Sequence, residues 1–154
     1  MMSIGKKQII PDISVIIVTY NSENYIKKCI DSILKYWPTE YTREIIILDN
    51  QSKDKTTQVV NKYSQNIINL VENSLNIGFA KAVNLGIRKS SGQKLLLLNP
   101  DIRIISKQSV KLLMDYQLKS GACICGGTML SSRGEHKTHV RLPNFAIGLF
   151  DFTN

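Results

Sequence analysis

The run Ile13-Ser14-Val15-Ile16-Ile17-Val18 is β-branched almost throughout, with no alternation of polar and apolar positions. A strand that is apolar on both faces must be covered on both, which is the situation of an interior strand in a parallel sheet. Thr19-Tyr20-Asn21-Ser22 ends the run. From Glu23 the apolar residues Ile26, Cys29/Ile30, Ile33/Leu34 and Trp37 recur at helical spacing, with Ser22 as the predicted N-cap and Pro38 as the stop.

The same unit recurs downstream. Glu44 to Leu48 reads as a second strand, Asp49 to Lys53 as a polar loop, Asp54 to Tyr63 as a helix and Ile67 to Val71 as a third strand. A polar connection from Glu72 to Gly78 leads to a helix over Phe79 to Arg88, and Lys94 to Leu98 is a fourth strand. That strand halts at Asn99-Pro100-Asp101, because proline cannot continue an interior ladder. Ser106 is placed to cap a helix reaching Leu118, and Ala122 to Cys125 reads as a fifth strand before Gly126-Gly127. Alternation of this kind predicts βαβ units with right-handed crossovers, hence a three-layer α/β/α sandwich on a mostly parallel, Rossmann-like sheet. A chain of 154 residues that is 43% hydrophobic is long enough to bury one such core.

In sheets of this class, ligands sit beyond the carboxyl ends of the strands. The loops there hold Thr19-Tyr20-Asn21, Asp49-Asn50, Asn76-Ile77-Gly78 and Asn99-Pro100-Asp101. No glycine falls between Gly5 and Gly78, which excludes a GxGxxG dinucleotide turn after the first strand, and GxxxxGK[ST] is absent as well. The end of the first strand also lacks the acidic cluster of a phospho-receiver. What remains is amide-rich, with Asp49 after the second strand and Asp101 after the fourth. Amides and carboxylates can hydrogen-bond a base or ribose, and a carboxylate can hold a hard divalent cation against phosphate oxygens, which suits a nucleoside diphosphate. Read singly, Asp49 fits a turn or helix cap equally well, and Asn99-Pro100-Asp101 fits an Asx-Pro turn. Their placement on one sheet edge favours function.

The net charge of +8 and a pI near 9.5 favour anionic partners without choosing one. The basic residues come no denser than Lys6-Lys7, Lys27-Lys28 and Arg88-Lys89, without a stripe or interleaved aromatics, so no nucleic-acid partner is expected. Three cysteines, Cys29, Cys123 and Cys125, have no CxxC spacing, which points away from a disulfide framework or zinc site and towards a reducing cytoplasm. His136 and His139 read as surface residues rather than ligands. No apolar run approaches the roughly 18 residues of a membrane span, and no signal-peptide core follows the N-terminus.

Four ordered motifs carry a resemblance: Val15-Ile16-Ile17-Val18-Thr19-Tyr20-Asn21; Ile47-Leu48-Asp49-Asn50-Gln51-Ser52-Lys53-Asp54; Asn76-Ile77-Gly78-Phe79-Ala80 with Asn84-Leu85-Gly86; and Leu97-Leu98-Asn99-Pro100-Asp101. Over about Ile13 to Pro143 the chain resembles the family 2 glycosyltransferases of GT-A fold, most closely their rhamnosyltransferase-like branch. The resemblance implies transfer of a sugar from a UDP- or dTDP-sugar to a polysaccharide or glycolipid acceptor, with inversion. It implies that Thr19, Tyr20 and Asn21 line the nucleotide pocket, that Asp49 pairs with a uracil or thymine edge, and that Asn50 lies close by. Asn76 and Gly78 would border the pyrophosphate, with Lys81 just beyond; a solvated helix lysine is the plainer reading of Lys81.

Asn99-Pro100-Asp101 stands where the family has Asp-any-Asp, whose last acid holds Mg²⁺ or Mn²⁺, and this chain keeps only that last acid, Asp101. Gly126 to Leu130, the turn Ser131-Ser132-Arg133-Gly134, and Arg141-Leu142-Pro143 resemble the segment beside the donor sugar.

On the same grounds the chain is expected to be one GT-A domain over 1–154, with an N-terminal extension over about 1–11 and the start of a missing acceptor-binding part over about 144–154, as though cut at the C-terminus. An inverting transfer needs a general base, and none is identified after Asp101: Asp115 reads as helical, Glu135 as part of a turn and Asp151 as part of an apolar tail. The alternative is a nucleotide-sugar-binding module or truncated gene product that needs a second chain for activity. The apolar tail from Phe145 to Phe152 would seek a partner and so drive self-association. The expected location is the cytoplasm, with peripheral association at the inner face of the membrane as an extension of it.

Overall fold

Ile13–Thr19 forms strand β1, and every one of its 7 residues is buried. This follows from its place: β1 pairs in parallel with β2 (Arg43–Asp49) on one side and with β4 (Lys94–Leu98) on the other. A third strand, β3 (Ile68–Glu72), pairs in parallel with β2, so the sheet runs β3-β2-β1-β4. The computed structural model describes residues 10–127 and the strands at 129–131 and 134–136. Its contacts divide the chain into a unit ending at Ile104 and a second beginning at Ile105.

In the first unit the helices are α1 (Ile26–Tyr36), α2 (Thr56–Val60) and α3 (Phe79–Lys89). Val15, Ile17, Ile45 and Ile47 point to one face of the sheet, and Ile16, Val18, Ile46 and Leu48 to the other; all are buried. Each such side chain is worth about 1.5–3 kcal/mol when fully removed from water, so β1 and β2 anchor the core. The Ile16/Val18/Ile46/Leu48 face carries Ala82 and Val83 of α3. Gly86 permits that approach, because a Cβ there would stand 2.8 Å from Ile16 Cγ2 and 2.9 Å from Leu48 Cδ2.

From β1 to β2 to β3 the sheet grows in one direction, and β4 then returns to the other side of β1. Right-handed crossovers put α1 and α2 on the face opposite α3, which gives the expected three layers. The reversal places a topological switch point between the carboxyl ends of β1 and β4.

Several local expectations are corrected. Helix α1 begins at Ile26 and not at Glu23, because the Ser22 carbonyl accepts from Tyr25 and Ile26 N–H in a preceding turn. The Ser22 hydroxyl does not cap the helix but donates to the Tyr20 carbonyl at 3.2 Å. Helix α2 is shorter than Asp54 to Tyr63: Asp54 lies before it as an acceptor for Thr56 N–H, and after Val60 the bonds tighten to Lys62 N–H to Val59 O and Tyr63 N–H to Val60 O. Pro38 ends α1 as expected, with Trp37 driven to extended backbone at ψ 132.

The second unit contains α4 (Lys107–Ser120) and an antiparallel pair, β5 (Met129–Ser131) and β6 (Gly134–His136), in which Ser131 faces Gly134. The fifth strand expected at Ala122 to Cys125 is not formed. That stretch folds back on α4: Gln117 Nε2 donates to Ala122 O at 3.1 Å, and the Cys125 thiol donates to Leu113 O at 3.7 Å. Glu135 lies in β6 and not in a turn. His139, Arg141 to Pro143 and the tail from Phe145 to Phe152 lie outside the described residues. Among the described residues no helix is long and apolar enough to cross a membrane.

At the amino ends of the strands one carboxylate oxygen, Glu44 Oε1, accepts from Ser14 Oγ, from Ser91 N–H and Oγ at 2.6 and 3.0 Å, and from Gly92 N–H at 3.1 Å. Burial pushes the Glu44 pKa up, but these donors together outweigh it and hold the group below its ordinary value near 4.5. A carboxylate depressed on folding stabilises the fold above its unfolded pKa, and this contribution is lost as pH falls through the folded value. Glu44→Gln should therefore flatten the decline in urea stability below about pH 4.5 relative to the parent chain. An unchanged acid limb would show that Glu44 does not couple the turn before β4 to the sheet.

Candidate functional site

The sheet register sets Thr19, Asp49 and Glu72 side by side at the carboxyl ends of β1, β2 and β3. Asp49 is 2% exposed, and an ionised carboxylate so placed needs donors. Thr19 Oγ1 donates to its Oδ1 at 2.8 Å, Ser52 Oγ to the same oxygen at 2.5 Å, and Ser52 N–H to Oδ2 at 2.8 Å. A carboxylate offers about four acceptor positions, so roughly one on Oδ2 remains open.

Ser52 extends the arrangement to the loop after β1, because its hydroxyl also accepts from Asn21 N–H at 2.9 Å. Asn21 returns a contact, its Oδ1 accepting from Lys53 N–H at 2.8 Å. Farther along, Ser22 N–H donates to Thr56 Oγ1 at 2.7 Å, Glu23 N–H to Asp54 Oδ2 at 3.0 Å, and Lys55 N–H to Glu23 Oε2 at 2.8 Å. The β1–α1 and β2–α2 loops are thus laced rung by rung. Asn21 and Gln51 hold left-handed backbone, at φ 49 and φ 62, a conformation that asparagine tolerates better than most side chains.

The β3–α3 loop joins from the other side. Asn73 N–H donates to Asp49 O at 2.8 Å, Asn73 Nδ2 to Asn50 Oδ1 at 2.9 Å, and Gln51 Nε2 to Ser74 O at 2.7 Å. Asn50 is itself buried, so its side chain works as a strut between loops. Beyond it Asn76 Oδ1 accepts Gly78 N–H at 2.9 Å, and Gly78, at φ 81, is the N-cap of α3. That helix carries no acidic residue in its first turn and no side-chain cap, so no carboxylate of its own offsets the positive end of its dipole. Lys81 is exposed on that turn.

Across the switch point, Asn99, Pro100 and Asp101 follow β4, and Asp101 is exposed. The Asn99 carbonyl accepts from Ile102 N–H at 3.1 Å and from the Cys29 thiol at 3.7 Å. Burial first, and the charge of Asp101 second, push the Cys29 thiol up to about 12, so it stays a neutral donor. No group of three His, Cys, Asp or Glu side chains among the described residues could enclose a metal ion. A lone carboxylate fits Mg²⁺ or Mn²⁺ only where phosphate oxygens and water complete the shell.

The structure therefore joins Thr19, Asn21 and Asp49 in one network, ties Asn50 to it through Asn73, and sets Asn76, Gly78 and Lys81 at the start of α3. Tyr20 projects at 53% exposure, and Asn99 and Asp101 stand on the neighbouring strand end. Ser52, Asp54, Thr56 and Asn73, which hold the loops together, had no assigned role. The spacings Asp49-x-x-Ser52 and Asp54-x-Thr56 are the signal for them, being turn patterns in which a carboxylate accepts from a nearby N–H.

Comparison with known proteins places the chain in a family. The sequence profile of Glycosyl transferase family 2 matches residues 14–152. A poly(ribitol-phosphate) beta-N-acetylglucosaminyltransferase, TarS of Staphylococcus aureus (strain Mu50 / ATCC 700699), is 35% identical over 103 residues, which are 64% of this chain and 17% of that protein. The dolichyl-phosphate beta-glucosyltransferase of Homo sapiens is 31% identical over 118 residues, 63% of this chain and 36% of its own length. Thus the chain spans well under half the length of these relatives. Among solved structures, S. aureus TarS 1-349 in complex with UDP-GlcNAc superposes with a TM-score of 0.62 at 29% identity, over 70% of this chain and 31% of that one. A Pyrobaculum calidifontis mannosyltransferase solved with GDP-Man and Mn²⁺ reaches 0.64 at 23% identity over 71% of this chain and 33% of its own, and supports the GT-A fold alone.

Thr19→Val removes one donor from the buried Asp49 at nearly constant shape, and Ser52→Ala removes another. Each should cost about 1–3 kcal/mol in urea denaturation, whereas Lys81→Ala should stay within about 0.5 kcal/mol. Equal, small effects in all three would mean that the Asp49 network does not hold the edge together.

Proposed function

Since the chain belongs to glycosyl transferase family 2, we propose that its first unit is the donor-binding part of an enzyme that transfers a sugar from a UDP- or dTDP-sugar to a saccharide or lipid-linked acceptor, with inversion. The observation that carries this reading is the gathering of Thr19, Asp49 and the Asp101 loop around the switch point between β1 and β4. Asp49, with one acceptor position left on Oδ2, suits a single ring N–H of uracil or thymine. Tyr20 and Asn21 line the nucleoside side, with the buried Thr19 and Asn50 behind them. Asn76, Gly78 and Lys81 border the pyrophosphate, where the uncompensated N-terminus of α3 favours negative charge.

Asp101, with Asn99 beside it, would hold Mg²⁺ or Mn²⁺, which when bound neutralises the departing nucleoside diphosphate. The acceptor hydroxyl needs a base on the side opposite the leaving group, and none is assigned among the described residues. The relatives' names mention N-acetylglucosamine and glucose, and one solved neighbour holds UDP-GlcNAc, which favours uridine; membership of the rhamnosyltransferase-like branch would favour thymidine. The proposed place of action is the cytoplasm or the inner face of a membrane.

A second reading is a nucleotide-sugar-binding module that needs a second chain for transfer. Both readings share the donor site, and calorimetric titration tests it. UDP or dTDP should bind about tenfold more tightly with Mn²⁺ than without, a gain of about 1.4 kcal/mol. Asp101→Ala should abolish that gain and Asp49→Ala should weaken binding under both conditions. A folded chain that binds neither nucleotide would overturn the proposal, and turnover of a UDP-sugar would decide between enzyme and module.

A further inference from the structure

Ser32 lies in the otherwise apolar buried stripe of α1, between Cys29 and Ile33, where a hydroxyl must find partners. It finds two. Its Oγ donates to the Cys29 carbonyl at 2.7 Å and accepts from Ile104 N–H at 2.9 Å. One turn earlier on the same helix, the Cys29 thiol donates to the Asn99 carbonyl. The segment from Asn99 to Ile104 is therefore fastened to α1 at both ends, at Asn99 by Cys29 and at Ile104 by Ser32, and Asp101 sits on the span between them. Within the span the Ile102 N–H to Asn99 O bond closes the turn. Among the described residues no strand pairing holds this segment, since β4 ends at Leu98.

We propose that Ser32, assisted by Cys29, is a positioning residue for Asp101: the two α1 side chains fix the post-β4 span so that the carboxylate meets the metal-bound diphosphate in a set place. The inference rests on the reading of Asp101 as the residue on the metal. It separates two functions of the edge, because the Asp49 network is held by Thr19 and Ser52 and does not involve Ser32.

The test uses the full chain, with Mn²⁺ binding followed by electron paramagnetic resonance in the presence of UDP, and UDP binding without metal followed by calorimetry. Ser32→Ala should weaken Mn²⁺ binding about three- to tenfold, as expected for one lost hydrogen bond, and leave metal-free UDP binding unchanged. Ser32→Thr, which keeps the hydroxyl, should restore it, and Cys29→Ala should shift Mn²⁺ binding in the same direction by less. An equal loss of metal-free and metal-dependent binding in Ser32→Ala would overturn the proposal in favour of a general packing role. Unchanged Mn²⁺ binding in both Ser32→Ala and Cys29→Ala would overturn it too. If the parent chain with UDP shows no Mn²⁺ binding that Asp101→Asn removes, the metal reading itself fails and this one falls with it.

Discussion

A carboxylate at the end of an interior strand cannot be left without donors, and Asp49 sets the terms for everything at the carboxyl edge. Burying an unpaired charge costs several kcal/mol, far more than any one loop contact returns. Asp49 is 2% exposed and draws its donors from two places, Thr19 on β1 and Ser52 three residues downstream. Once Ser52 is fixed there, its hydroxyl is placed to accept from Asn21, and the loop after β1 takes its course from that bond. The rungs from Ser22 to Thr56 and from Glu23 to Asp54 continue the lacing. One buried charge thus brings two loops together that are about thirty residues apart in sequence.

Opposite this edge, the apolar sheet supplies rigidity without direction. The burial of Val15, Ile17, Ile45 and Ile47 on one face and Ile16, Val18, Ile46 and Leu48 on the other holds β1 and β2 in register. Direction comes from the reversal in strand order, which opens the end of β1 towards β4 and leaves Asp49 and Asp101 on either side of it. The proposed donor site uses such a division, with a buried, hydrogen-bonding side for the base and an exposed carboxylate on the side of the diphosphate. The hydrogen bonds on each side give the division a mechanical basis.

Much of this was legible in the residues. The run Ile13 to Val18, β-branched almost throughout, announces a strand covered on both faces, and Glu44 to Leu48 reads as a second strand; the sheet confirms both. Pro38 and Asn99-Pro100 stop their elements where backbone geometry requires. Ser22 misled as a cap because its hydroxyl bonds the Tyr20 carbonyl, while Glu23 N–H is satisfied across space by Asp54. Ala122 to Cys125 has the apolar composition of a strand, but α4 captures its carbonyl at Gln117 and its thiol at Leu113. Ser52 and Ser32 were the least legible, since a serine reveals its partners only when the fold brings them.

The proposed function requires that a nucleoside diphosphate be held at the carboxyl edge of β1, β2 and β4. The most direct measurement is an amide NMR titration of the chain with UDP and Mg²⁺. It should move the resonances of residues 19–21, 49–53, 76–81 and 99–102 together and leave those of Val60, Tyr63, Asn69 and Leu70, which line a groove beside β3, in place. Shifts confined to the β3 groove, or spread without reference to either edge, would contradict it.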